Sequence, residues 1–181
     1  MDTTIFECQA HIATGVGESI SLAEKQRKTL LGKNKEYVPA LVAYALCKFM
    51  KKQNSQGIDA LRKVSSADFQ LENAHYFERA WLMMADAYIA NRDFNNAQKE
   101  LQKVLQHNKS NVKAQEYMGL IKEKERDHVA AAEHYKVAFE MSNNKNPSVG
   151  YRLAFNYMKA HRFTDTIDIG RQILKLYPDF P

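Results

Sequence analysis

Histidine, cysteine and carboxylate side chains could support covalent or metal chemistry, and their spacing decides whether they do. The histidines are His11, His75, His107, His128, His134 and His161. No two stand at i, i+4, where one helix face would offer both rings to a metal. Neither Cys8 nor Cys47 falls at a ligand spacing. His128 and His161 fall at or beside hairpin turns, where a polar ring is ordinary. Activating a nucleophile requires a neighbouring base and an orienting group, and no such pattern accompanies either thiol. Gly15-x-Gly17 is a lone pair in a turn, not a phosphate loop. Glu123 and Glu125 lie among lysines on a solvated helix and do not form an acid/base pair. The expectation is a protein with no catalytic pair, metal set or cofactor motif, and so not an enzyme.

The remaining chemistry is noncovalent: aromatic and cationic side chains that can grip another protein, held on elements that repeat along the chain. From Trp81, the single tryptophan, the chain reads Trp81-x-x-Met84-Ala85-x-x-Tyr88, then Asn91-Arg92-Asp93-Phe94-x-x-Ala97, then Leu101 and Val104. This is a first helix with a large–x–x–large–small–x–x–aromatic pattern, a short polar turn, and a second helix entered through Phe and Ala. One repeat later come Met118-Gly119, Ala131, Tyr135 and Ala138. After another come Leu153-Ala154, Tyr157, His161-Arg162-Phe163, Ile173 and Pro178. Upstream stand Ala45, Gly57, Leu61 and Val64, with extra residues placed in a Ser65–Tyr76 linker. A fainter unit at the start has Ala10, Ala23 and Leu30.

The period of about 34 residues and the small-residue slots resemble the tetratricopeptide repeat. The predicted fold is all-α, a right-handed superhelix of antiparallel helix hairpins. Its repeats are placed at residues 4–37, 38–77, 78–111, 112–146 and 147–180 of a single array. Gly or Ala at the point of closest approach lets two helix backbones pack, with a large neighbour filling the gap. A single hairpin cannot bury both of its faces, so stacked neighbours supply the core.

Terminal signals follow the same register. Asn146-Pro147 reads as an N-cap followed by proline at the first helical position, and Val38-Pro39 similarly. Ser21-x-x-Glu24 fits a capping box, and Asn73 is placed to cap the helix carrying Trp81. Tyr177-Pro178 marks a stop. Ile169, Ile173, Leu174 and Leu176 on the last helix are expected to lack a cover, as in a piece of a longer array or a surface that a partner closes.

Composition agrees with helices: 45% hydrophobic and 26% charged, with only 7 Gly and 4 Pro, excludes a turn-rich β fold and a disordered chain. The net charge of +5 is spread among acids, with no block of like charge, as on a solvated helix surface. No basic stripe with a reading motif points to nucleic acid. Two cysteines are too few for a disulfide framework and fit buried thiols in a reducing compartment such as the cytoplasm. No signal peptide is read after Met1, and the longest apolar run is too short for a membrane span.

Resemblance to tetratricopeptide proteins implies that the first helices line an inner groove. In this register the groove residues are Arg79, Leu82, Met83 and Asp86, then Lys113, Glu116, Tyr117, Leu120 and Glu123, then Tyr151, Arg152, Phe155, Met158 and Lys159. Tyr117, Phe155 and Met158 are the apolar anchors, with Arg152 and Lys159 as cationic neighbours. The carboxylate clamp of tetratricopeptide co-chaperones is not expected, because its slots hold Leu82, Asp86, Tyr117, Ser148 and Arg152.

Three stretches carry a narrower resemblance: Phe77-Glu78-Arg79-Ala80-Trp81-Leu82, Glu116-Tyr117-Met118-Gly119-Leu120-Ile121-x-Glu123-Lys124-Glu125, and Asn146-Pro147-x-x-Gly150-Tyr151-x-Leu153-Ala154-Phe155-Asn156-Tyr157. They are similar to the C-terminal repeats of the large tetratricopeptide-repeat subunits of intraflagellar transport complex A. The resemblance implies a scaffold in retrograde ciliary transport and cargo handling, located in cytoplasm and cilium. The partners it implies are other subunits of that complex and, indirectly, the dynein-2 motor and membrane-receptor cargo. The alternative reading is a free-standing adaptor that binds a peptide or acidic tail in its groove.

Overall fold

The computed structural model describes residues 37–179. The fainter first hairpin, Cys8, His11, Gly15, Gly17 and the Ser21–Glu24 capping box lie outside the described residues. Eight α-helices occur among the described residues: α1 (Val38–Met50), α2 (Asn54–Ser66), α3 (Ala74–Ala90), α4 (Phe94–His107), α5 (Val112–Lys124), α6 (His128–Met141), α7 (Pro147–Lys159) and α8 (Phe163–Leu176). One 3-10 turn, Leu71–Asn73, precedes α3. The chain forms two units, the first ending at Ala87 within α3 and the second beginning at Tyr88.

In the first unit α1 packs on α2. The helix α1 is apolar nearly all round, with Val38, Leu41, Val42, Ala45 and Cys47 buried. Gly57 of α2 lets the Phe49 ring approach to 3.1 Å of where a Cβ would stand. Beyond α2, Phe69 stacks on Trp81 at 5.9 Å between centroids, and Phe77 joins both rings.

In the second unit α4 to α8 follow one another, each packed on the next. The core between α6, α7 and α8 holds Tyr135, Phe139, Leu153, Tyr157 and Ile173. Each fully buried large side chain of this kind contributes roughly 1.5–3 kcal/mol by leaving water.

Local rules position these helices. Asp93, Asn111, Asp127 and Asn146 cap four consecutive helices, each side chain accepting from the amide three residues on. The turns inside the hairpins share one backbone device. Lys52, Arg92, Arg126 and His161 all have φ near +60°. In each case this residue and its successor donate to the last turn of the preceding helix, as with Arg126 to Glu123 and Asp127 to Lys122. Glycine is the usual residue at such a left-handed position, so here basic side chains tolerate a backbone that glycine would adopt without strain.

Three terminal expectations need correction. The residue capping α1 is Tyr37, with no side-chain bond, and Pro39 follows inside the first turn. Asn73 closes the 3-10 turn and donates to Gln70 Oε1 at 2.9 Å. The linker is shorter than read, because α2 runs to Ser66 and α3 begins at Ala74. Tyr177 does stop α8, with φ −134° and ψ 77° outside the helical region. The uncovered face of α8 is also smaller than read. Ile173 is buried against α7 and Ile169 is half-buried, while Leu174 and Leu176 remain 52% and 51% exposed.

Close packing follows the glycines. A Cβ on Gly119 would stand 3.0 Å from the Tyr135 ring. In the last hairpin the equivalent slots hold Ala154 and Gly170, both small, and the close approach moves one turn along. There a Cβ on Gly150 would stand 2.8 Å from Phe139 and 2.9 Å from Ile173.

Candidate partner-binding surface

The first helices α5 and α7 of the second unit carry most of the residues expected to face a partner. On α5, Lys113 Nζ lies 3.1 Å from Glu116 Oε2 and 4.8 Å from the centroid of the Tyr117 ring. On α7, Lys159 Nζ lies 5.5 Å from the centroid of Phe155. Both pairs follow from i, i+3 and i, i+4 helical spacing. Each aromatic anchor therefore has a lysine of its own chain over its face.

Arg152, expected as a cationic neighbour of the anchors, is engaged within the chain. Its Nη1 donates to Glu123 Oε1 at 3.4 Å and lies 3.5 Å from Tyr135 Oη. Burial works against its charge, but Tyr135 and Glu123, with Glu116 farther off, hold its pKa above the ordinary value. Burial also pushes the Tyr135 phenol upward, reinforced by the charge of Glu123. The phenol stays protonated and can donate.

Asn156 completes this joint and is fully buried. Its Nδ2 donates to Glu123 Oε2 at 3.0 Å and to the Arg152 carbonyl at 2.8 Å, and its Oδ1 meets His128 Nδ1 at 2.8 Å. Every polar atom of the amide is used, which is the condition for burying it without penalty. His128 also meets Phe155 edge-on at 6.4 Å.

The expected residues thus form two clusters in the second unit. Lys113, Glu116 and Tyr117 share the start of α5, while Glu123 and Arg152 meet at the joint of α5 and α7, with Phe155 beside His128 and Lys159 over the Phe155 ring. Arg79 and Asp86, both exposed, lie two turns apart on α3 in the first unit. Three members of the joint, His128, Tyr135 and Asn156, escape a reading based on first-helix positions. The available signal is Asn156 itself, an amide between Phe155 and Tyr157 where a helix buries its apolar stripe. Among the described residues no group of His, Cys, Asp or Glu could hold a metal ion. The arrangement offers aromatic faces, movable lysine heads and a fixed polar joint, which suits noncovalent recognition of a polypeptide.

The family model for the tetratricopeptide repeat protein 21 C-terminal ARM domain matches residues 1–181. Tetratricopeptide repeat protein 21B of Homo sapiens is 36% identical over 96% of this chain, which spans 14% of that protein. Tetratricopeptide repeat protein 21A of Homo sapiens is 35% identical over 96% of this chain, which spans 12% of it. Among solved structures, MamA superposes with a TM-score of 0.71 at 15% identity, covering 88% of this chain and 89% of that one. YrrB, described as a TPR protein with an unusual peptide-binding site, superposes with a TM-score of 0.73 at 13% identity, covering 97% of this chain and 86% of that one. At such identities the likeness is one of fold, and the fold is the tetratricopeptide repeat of antiparallel helix hairpins. No described helix is long and apolar enough to cross a membrane. The chain belongs to the tetratricopeptide repeat protein 21 C-terminal ARM domain family.

Proposed function

We propose that this chain is a non-enzymatic protein-interaction segment of intraflagellar transport complex A, acting in the cytoplasm and cilium in retrograde transport and cargo handling. Its direct partners are other subunits of the complex; the dynein-2 motor and membrane-receptor cargo are reached through them. The observation that carries this reading is the match to tetratricopeptide repeat protein 21B over nearly the whole chain. The stretches resembling the transport-complex subunits include exposed positions, Arg79 and Tyr151. The surface assigned to the partner in the second unit comprises Lys113, Glu116, Tyr117, Arg152, Phe155 and Lys159; Arg79 and Asp86 are assigned to the first unit by themselves. The aromatic faces of the second-unit surface and its Arg152 are of the residue types enriched in protein interfaces.

The test is affinity purification of the tagged chain from ciliated cells, with the co-purifying proteins identified by mass spectrometry. Recovery of the complex A subunits supports the assignment. Their absence, with the chain itself folded and expressed, removes it.

A further inference from the structure

A second feature of the molecule lies on a different face of α7. Between α6 and α8 a cleft of about 300 Å³ opens over α7. Half-buried Ile169 gives its floor an accessible apolar patch, with the buried Phe139 and Leu153 beneath. Both ends are fixed. At one, the guanidinium of Arg162 sits 4.4 Å from the centroid of the Tyr157 ring while its Nε donates to Asp165 at 2.8 Å. At the other, Asn144 lines the cleft, and the adjoining Lys145 carbonyl accepts from Tyr177 Oη at 2.7 Å, tying the end of α8 to the α6–α7 loop.

The rim has a definite sign. Asp165 and Asp168 on α8 and Glu140 on α6 line it, against Lys136 and Arg162. Both cations are already engaged within the rim, Lys136 with Glu140 at 3.8 Å and Arg162 with Asp165. Glu133 adds a further negative charge felt by Arg162. The local balance is therefore acidic on a chain whose net charge is +5.

We propose that this cleft is a second docking site, which takes an arginine or lysine side chain from a partner polypeptide. An aliphatic stem on an apolar floor and a cationic head at an acidic rim are the two halves of such a side chain. Arg162 shows the principle within the chain itself, with its guanidinium on an aromatic face and a carboxylate as its partner. The head of the incoming residue is assigned to Asp168, which is exposed on the rim, and its stem to Ile169 and the methylenes of Gln172. The volume lies at the small end of ligand pockets, about 300–1,000 Å³, and so suits one long side chain better than a folded ligand. The site is independent of the Tyr117–Phe155 surface, so its failure would leave that assignment intact.

The test uses the full 181-residue chain with methyl-labelled isoleucine and leucine. The probe is an acetylated, amidated heptapeptide, Gly-Ser-Leu-Arg-Leu-Ser-Gly, and its counterpart is the same peptide with glutamate in place of arginine. The arginine peptide is expected to shift the Ile169 methyl resonances saturably, and the glutamate peptide to leave them in place. Asp168→Lys should weaken the arginine peptide about tenfold or more, the loss of one close charge pair, and Asp168→Asn should weaken it less. The absence of a saturable shift, equal shifts with both peptides, or an unchanged affinity in Asp168→Lys would each overturn the proposal.

Discussion

The side-chain amide of Asn156 donates to Glu123 Oε2 at 3.0 Å, across 33 residues of sequence and between the first helices of consecutive hairpins. Because the same amide also engages His128 and the Arg152 carbonyl, one buried residue fixes how one hairpin seats on the next. Replacing it by alanine removes the bonds to Glu123 Oε2 and His128 Nδ1 at a half-buried joint, although Glu123 keeps Arg152. Asn156→Ala should destabilise the chain by about 1–3 kcal/mol, the desolvation cost of unpaired buried groups. Asn156→Asp should be worse at neutral pH, since it sets a second carboxylate against Glu123, and should recover partly in mild acid. Urea denaturation at two pH values distinguishes these outcomes.

Gly150 supports the last hairpin by having no side chain. Alanine there gains about 1 kcal/mol of helix propensity. Its Cβ would nevertheless stand within 2.9 Å of both Phe139 and Ile173, which are held in the core. Overpacking costs typically 1–3 kcal/mol, so packing outweighs propensity. Gly150→Ala should lower the melting temperature. Gly170→Ala, with nothing within 4 Å of the added Cβ, should raise it slightly.

At Arg126 the sign reverses. Its φ of 64° is a conformation that costs a side-chain-bearing residue about 1–2 kcal/mol. Arg126→Gly should therefore stabilise the chain by about 1 kcal/mol, and the β-branched Arg126→Val should destabilise it. Thermal unfolding of the two variants tests the turn geometry directly.

His134 supplies a pH signature. Burial, aided by Lys122 and opposed by Glu133, lowers its pKa below the ordinary 6.5. The unfolded chain then binds the proton more readily than the folded one. The stability contributed by the neutral ring is fully present above 6.5 and is lost as pH falls through the depressed folded value. In His134→Gln the stability difference from the parent should narrow as pH drops from 7 toward 5. A constant difference would contradict the assignment.

Much of the fold is legible in the residues. Trp81, Gly119 and Tyr135 announce paired helices because large-against-small contacts recur at the repeat interval, and Asn146-Pro147 marks the start of α7 directly. What is harder to read depends on contacts between distant residues. Small residues at Ala154 and Gly170 hide the moved contact between Gly150 and Ile173, since a periodic pattern assumes one register throughout. Among the expected surface residues, composition identifies Tyr117 and Phe155 as aromatic anchors and Lys159 as a cation. The i, i+4 spacing places Lys113 and Lys159 over those rings, but nothing local reveals that Arg152 is held by Glu123 and Tyr135. Electrostatic partners across hairpins leave no local spacing to read.

Quantitative co-purification of complex A subunits with the tagged chain, compared with a Tyr117→Ser, Phe155→Ser, Lys159→Glu variant of matched stability, tests the central claim most directly. The scaffold account expects the parent chain to recover those subunits and the variant to lose them by about tenfold or more, because a few aromatic and cationic residues carry most of an interface's energy. Equal recovery by both chains, or no recovery by the parent, would contradict it.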